Sequence, residues 1–200
     1  AYQEFDVEQA IQNHLVGTPQ AINAYVECCE RYLGQNKTAL FWEGKQGESQ
    51  RWSFEQLTEA SGKLANYFLQ LGIKAGDCVA GLLPRTPELL ITVLATWRIG
   101  AIYQPLFTAF ESKAIEHRIQ VANTQLIVTN SEQRVKLNQI QIPHILTVHS
   151  GESCVKTDPD FWQKLDEHQT ECEPVLRDFD DDFLMMFTSG TTGLAKSVPV

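Results

Sequence analysis

Hydrophobic positions along this chain follow two alternating rhythms. Phe54, Leu57, Leu64, Ala65, Phe68 and Leu71, with Ser61 among them, recur at the three-to-four spacing that draws one stripe along a helix. Ser53 and Gln56 supply an S-x-x-Q capping box at its start, and Gly72 stops it. Residues 78–83 then run continuously apolar, as a strand buried on both faces does, and Pro84 closes the run. The same spacings predict helices over 87–100 and 112–122 and a short one over 131–138. A helix over 158–168 follows from Asp158 as N-cap with Pro159 behind it. A helix over 18–33 follows from Thr18, Pro19 and the terminating Gly34 in the same way. Strands are predicted over 38–44, 101–107, 125–130, 144–150 and 182–187.

Strands separated by helical patterns of ten or more residues imply βαβ units and a mostly parallel sheet. Right-handed crossovers then place helices on both faces. The expected fold class is therefore α/β, with a doubly wound, mostly parallel sheet. Residues 197–200 read as extended, and the chain stops inside them, so we expect a fragment of a larger unit.

Composition narrows the function classes. With 43% hydrophobic and 20% charged residues, 200 residues are ordinary for a soluble globular protein with a sizeable core. A net charge of −9 argues against nucleic acid or an anionic membrane as the main partner. No apolar run is long enough to span a bilayer, so no stable membrane insertion is expected. The first residues lack the basic and apolar regions of a signal peptide. Cys28, Cys29, Cys78, Cys154 and Cys172 are odd in number and form no C-x-x-C, which suits reduced structural thiols in the cytoplasm. Cys28 and Cys29, adjacent in a helical pattern, are expected to point to different sides. His14, His117, His144, His149 and His168 show no metal-ligand spacing and read as surface or core residues.

Asp178, Asp180, Asp181 and Asp182 read as a solvated turn ahead of the last strand, with a hard cation as the alternative. Trp97, Tyr103 and Phe107 read as core, with ligand contact as the alternative. Arg85 stands just past a buried strand, where open α/β sheets place ligand contacts.

The richest chemistry lies in FTSGTTGLAKSVPV, residues 187–200. Counted from Gly190, it misses the Walker A pattern by one residue, Ala195. Walker A also needs a helix after the loop, whereas Val198, Pro199 and Val200 favour an extended chain. The residues thus predict strand–loop–strand. Gly190 and Gly193 allow turns that expose backbone amides. Thr188, Ser189, Thr191 and Thr192 carry hydroxyl donors for phosphate oxygens, and Lys196 adds a positive point charge. The bland alternative is a loop without a ligand.

The string TSGTTGLAKSV resembles the signature phosphate loop of the adenylate-forming (AMP-binding) superfamily, roughly [ST]-[ST]-G-[ST]-T-G-x-P-K-G-V. It departs at Ala195 and Ser197, where proline and glycine are usual. Residues 51–107, with G-x-x-x-G-D-x-V and G-A-x-Y-x-P, resemble the early core of the same family. PLFTAFESKAIEHRI is similar to the branch of acetyl- and medium-chain acyl-CoA synthetases.

The resemblance implies an acid–thiol ligase that activates a short- or medium-chain carboxylic acid with ATP and Mg2+, then hands the acyl group to coenzyme A. It implies that Thr188, Ser189, Gly190, Thr191, Thr192, Gly193 and Lys196 hold phosphate. It also implies that residues 1–200 are the N-terminal part of the adenylation domain, with no proton-transferring catalytic residue among them. The adenine pocket, the remaining large domain and a small lid domain would lie beyond Val200. Two alternatives stay open: a nucleotide-binding module without catalysis, and an adenylation domain that loads a carrier protein.

Overall fold

A computed structural model describes residues 6–149, 158–188 and 195–200. Its centre is a four-stranded parallel sheet of β3 (Cys78–Leu82), β4 (Ile102–Pro105), β5 (Leu126–Asn130) and β6 (His144–Val148), in the order β4-β3-β5-β6. The first strand lies inside the sheet and the chain winds outward in both directions. Helix α4 (Pro87–Arg98) links β3 to β4, and α5 (Ser112–Ala122) carries the chain back across β3 to β5.

Side-chain alternation along the strands divides the core in two. Val79, Leu126, Val128 and Leu146 join α4 and α3 (Phe54–Gln70) on one face. Ala80, Leu82 and Ile127 join Ile115 and Ile119 of α5 on the other. Every residue of β3 is buried, which is why its sequence reads apolar without a break. The doubly wound α/β fold expected from the sequence is what forms.

Local signals set most boundaries. The Ser53–Gln56 capping box is present in both directions. Gly72 ends α3 at φ +85, a backbone state that suits glycine. Gly62, in mid-helix, lets α3 approach the Thr170 carbonyl; a Cβ there would collide with that oxygen. The segment 131–138 forms α6 (Ser131–Arg134) followed by a 3-10 turn.

Two helices are shorter than expected, each capped further along the chain than the sequence suggests. The helix placed over 18–33 is α2 (Ala24–Cys28) plus a 3-10 turn at Glu30–Tyr32. Its cap is Asn23, not Thr18. The Asn23 amide also donates to the carbonyls of Trp97 (2.8 Å) and Val175 (2.8 Å). Residues ahead of it pair elsewhere, Ile22 with Arg177. The helix placed over 158–168 is α7 (Phe161–Asp166), capped by Asp160 rather than Asp158. The Asp158 carboxylate is taken up by Arg134 and Thr147.

Two elements were not expected: α1 (Val7–His14), and β2 (Ser49–Ser53), which pairs antiparallel with β1 (Thr38–Glu43). β2 carries Ser, Gln and Arg on a largely exposed hairpin, so no apolar alternation marks it.

The core makes stability fall in alkali. Burial pushes the Cys78 thiol from 9.0 up to about 12, and the Tyr25 phenol from 10.0 up to about 12. Both raised values favour the neutral form in the folded state. Their stabilisation is complete below 9.0 and 10.0 respectively and is lost as pH rises toward about 12. Denaturant unfolding across this range is expected to show a decline starting near pH 9, at most about 1.4 kcal/mol per pH unit for each group. Cys78→Ala should make the decline between pH 9 and 10 shallower. It should not flatten it, because burial also raises the Cys29 and Cys172 thiols.

Candidate functional site

The strand expected over 182–187 is β7 (Met185–Thr188), and β8 (Lys196–Pro199) returns antiparallel beside it. The register pairs Thr188 with Lys196 and Phe187 with Ser197. Thr188 and Lys196 are both exposed and stand opposite each other where the described stem ends. Both strands that the sequence places around residues 189–194 are present, and the chain after Lys196 is extended, not helical. Ser189, Gly190, Thr191, Thr192 and Gly193 lie outside the described residues. Lys196 forms no ion pair with a described residue.

The hairpin is held by the core at its base and by α5 along its stem. At the base, the Phe183 carbonyl accepts from the Tyr103 amide at 3.0 Å and from the Trp97 indole at 2.9 Å. Leu184 bridges Tyr103 in parallel, and Val200 exchanges backbone bonds with Phe183 and Leu184. Along the stem, His117 Nε2 lies 2.9 Å from the Ala195 carbonyl. The Arg118 guanidinium sits 4.1 Å from the Phe110 ring centre and 5.6 Å from that of Phe187. Burial pulls its pKa below the ordinary guanidinium value, and no described carboxylate pairs with it. In the sequence His117 reads as an ordinary surface or core histidine. Nothing in its spacing connects it to a residue 78 positions away.

A cavity of about 820 Å3 opens at the carboxyl ends of β3 and β4, lined by Gly81, Arg85, Tyr103, Phe107, Thr108 and Glu132 among others. Open α/β sheets bind ligands beyond the carboxyl ends of their strands. Arg85 is exposed at its wall, as its position past β3 suggested. Tyr103 is buried and forms part of the floor. Phe107 is 65% exposed and lies at this cavity, so the core reading does not hold for it. Trp97 packs against the core and reaches the Phe183 carbonyl, as a structural residue does. Phe107 meets Phe110 edge-on at 5.3 Å, so an unbroken run of contacts leads through Arg118 to the hairpin. A second cavity, of about 280 Å3, lies at the opposite, amino end of β4 between Trp97, Gly100, Phe179 and Phe183. It is apolar and far from the strand ends where ligands gather.

The acidic cluster forms a turn, the solvated reading the sequence favours. The Asp181 carboxylate accepts from the Asp178 amide and pairs with Arg177 at 3.0 Å. Among the described residues no group of three or more His, Cys, Asp or Glu is placed to hold a metal. Cys28, Cys29, Cys78 and Cys172 are free thiols; Cys28 is exposed and Cys29 buried, facing opposite ways as expected. Cys154 lies outside the described residues. No described helix is long and apolar enough to cross a membrane.

The AMP-binding enzyme profile matches residues 29–200, and the chain belongs to that family. The acetyl-coenzyme A synthetase of Escherichia coli (strain K12) is 30% identical over 204 residues, covering 88% of this chain and 31% of that protein. The acetyl-coenzyme A synthetase of Dictyostelium discoideum is 29% identical over 199 residues, covering 88% of this chain and 30% of that protein. A crystal structure of an acyl-CoA synthetase from Brucella canis matches with a TM-score of 0.93 at 48% identity, covering 98% of this chain and 36% of that one. The chain thus spans about 30% of the length of the curated relatives it matches.

The cavity floor depends on a glycine. A Cβ at Gly81 would press on the Tyr103 hydroxyl, its nearest neighbour, with the ring carbons at 3.1 and 3.2 Å. Gly81→Ala is expected to destabilise the fold by about 1–3 kcal/mol and displace the ring. Adding Tyr103→Phe removes the closest atom and should recover part of that loss, a coupling readable in a double-mutant cycle of denaturant unfolding.

Proposed function

We propose that the protein carrying this chain activates a short- or medium-chain carboxylic acid with ATP, forming an acyl-adenylate, and passes the acyl group to the thiol of coenzyme A. Residues 1–200 then make up the N-terminal part of its adenylation domain. The observation that carries this reading is the hairpin: Thr188 and Lys196 face each other, exposed, at the two ends of a TSGTTGLAK string. A cytoplasmic setting fits the free thiols and completes the reading.

Hydroxide is a poor leaving group from a carboxylic acid, and AMP is a good one. The acid's oxygen attacks the α-phosphorus, the bond to the β-phosphate oxygen breaks, and pyrophosphate leaves with the electron pair. The difficulty is negative charge approaching negative charge while more develops on the leaving group. Positioned donors and a cation offset it. Here the Lys196 ammonium supplies the charge, and the Thr188 hydroxyl with Ser189, Thr191, Thr192 and the amides of Gly190 and Gly193 supplies donors to the β- and γ-phosphates. Their role is to bind and orient, not to move protons. Among the described residues no group of three or more His, Cys, Asp or Glu could cage Mg2+, so the ion would bind chiefly through the ATP phosphates and would neutralise their charge there.

The test is exchange of labelled pyrophosphate into ATP by the full-length protein, which is expected only when a carboxylic acid is added. Exchange without acid, or none with any aliphatic or aryl acid, contradicts adenylation. Lys196→Ala should slow the exchange about 10- to 1000-fold, mainly through kcat. Transfer of the acyl group from supplied acyl-adenylate to coenzyme A should be spared, because pyrophosphate has already left. Equal slowing of both half-reactions would make Lys196 a structural residue.

A further inference from the structure

His117 of α5 touches the polypeptide beside Lys196. Its Nε2 lies 2.9 Å from the Ala195 carbonyl. A carbonyl oxygen only accepts, so Nε2 carries the hydrogen, and both the neutral Nε2–H tautomer and the imidazolium make this bond. The helix beneath is itself locked. Buried Gln104 of β4 donates to the Arg118 carbonyl at 3.1 Å, and the same amide's oxygen accepts from Thr124 at 2.6 Å. One residue on, Arg118 lies over Phe187 of the opposite strand. Adjacent residues of α5 therefore grip the two strands of the hairpin separately, His117 on the side of Lys196 and Arg118 on the side of Thr188.

We propose that His117 is a positioning residue for adenylation: by donating to the Ala195 carbonyl it fixes the peptide that precedes Lys196, and so the direction in which the lysine arm leaves the stem. A short antiparallel stem alone leaves its last pair free to fray. The Ala195 carbonyl immediately precedes Lys196, and a side-chain donor on a core-locked helix holds it just beyond the last described pair of the stem. The proposal rests on the reading of Lys196 as a phosphate ligand. His117 itself touches no substrate; its effect passes through Lys196.

The test compares two polar replacements in the full-length protein. The amide of His117→Gln reaches about as far as Nε2 and keeps the donor; that of His117→Asn is shorter and loses it. His117 is partly exposed, so both are expected to fold with similar melting temperatures. His117→Asn should lower kcat/KM for ATP in pyrophosphate exchange about three- to tenfold, the size of one neutral hydrogen bond. His117→Gln should restore most of it. KM for the carboxylic acid, and acyl transfer from supplied acyl-adenylate, should be unchanged in both. Wild-type exchange in His117→Asn, while Lys196→Ala is slow, overturns the proposal and leaves the phosphate reading standing. Equal loss in the Asn and Gln variants, or loss that follows melting temperature, also overturns it. If Lys196→Ala exchanges at the normal rate, the phosphate reading and this proposal fall together.

Discussion

The Phe183 carbonyl accepts two hydrogen bonds, from the Tyr103 amide and the Trp97 indole, and the placement of the hairpin depends on that oxygen. Both donors belong to the core. Tyr103 lies in β4, an outer strand of the parallel sheet, and Trp97 in the helix that leads to it. An outer strand presents unpaired backbone groups, which must be covered. Here the start of the β7 segment covers them, and the same contact anchors the hairpin. A backbone requirement of the sheet thereby positions the most chemically loaded stretch of the sequence.

From this anchor the rest follows geometrically. β4 carries Tyr103 toward the cavity floor and Gln104 toward α5. α5 in turn meets the hairpin stem through His117 and Arg118. The cavity at the carboxyl ends of the strands and the hairpin are thus joined by one run of contacts, Phe107–Phe110–Arg118–Phe187, and not merely placed on the same molecule. Arg118, with a guanidinium that no described carboxylate neutralises, leaves positive charge beside the stem. That suits a hairpin proposed to hold phosphate.

Much of this was legible in the sequence where local physics decides. Strand β3 is buried on both faces, so its apolar run names it; Ser53 and Gln56 cap α3 within three residues of each other. Pro199 between two valines rules out a helix after the loop, and β8 is extended. Legibility failed where a polar side chain spends itself on a distant partner. Asp158 looked like a cap but serves Arg134, and Thr18 gave way to Asn23, whose amide binds carbonyls near residues 97 and 175. The grip of His117 on Ala195 is of the same kind, set by tertiary placement alone. Phe107 misled because an aromatic in an apolar run is ordinarily core, whereas this one follows the end of β4 and faces the cavity.

The central claim is that Lys196, presented by a hairpin seated on α5, meets the phosphates of ATP. The most direct measurement is a crystal structure of the full-length protein with a non-hydrolysable ATP analogue. The Lys196 ammonium is expected within hydrogen-bonding distance of a β- or γ-phosphate oxygen, with the Ala195 carbonyl still held by His117. A nucleotide bound elsewhere, with Lys196 turned to solvent, would contradict it.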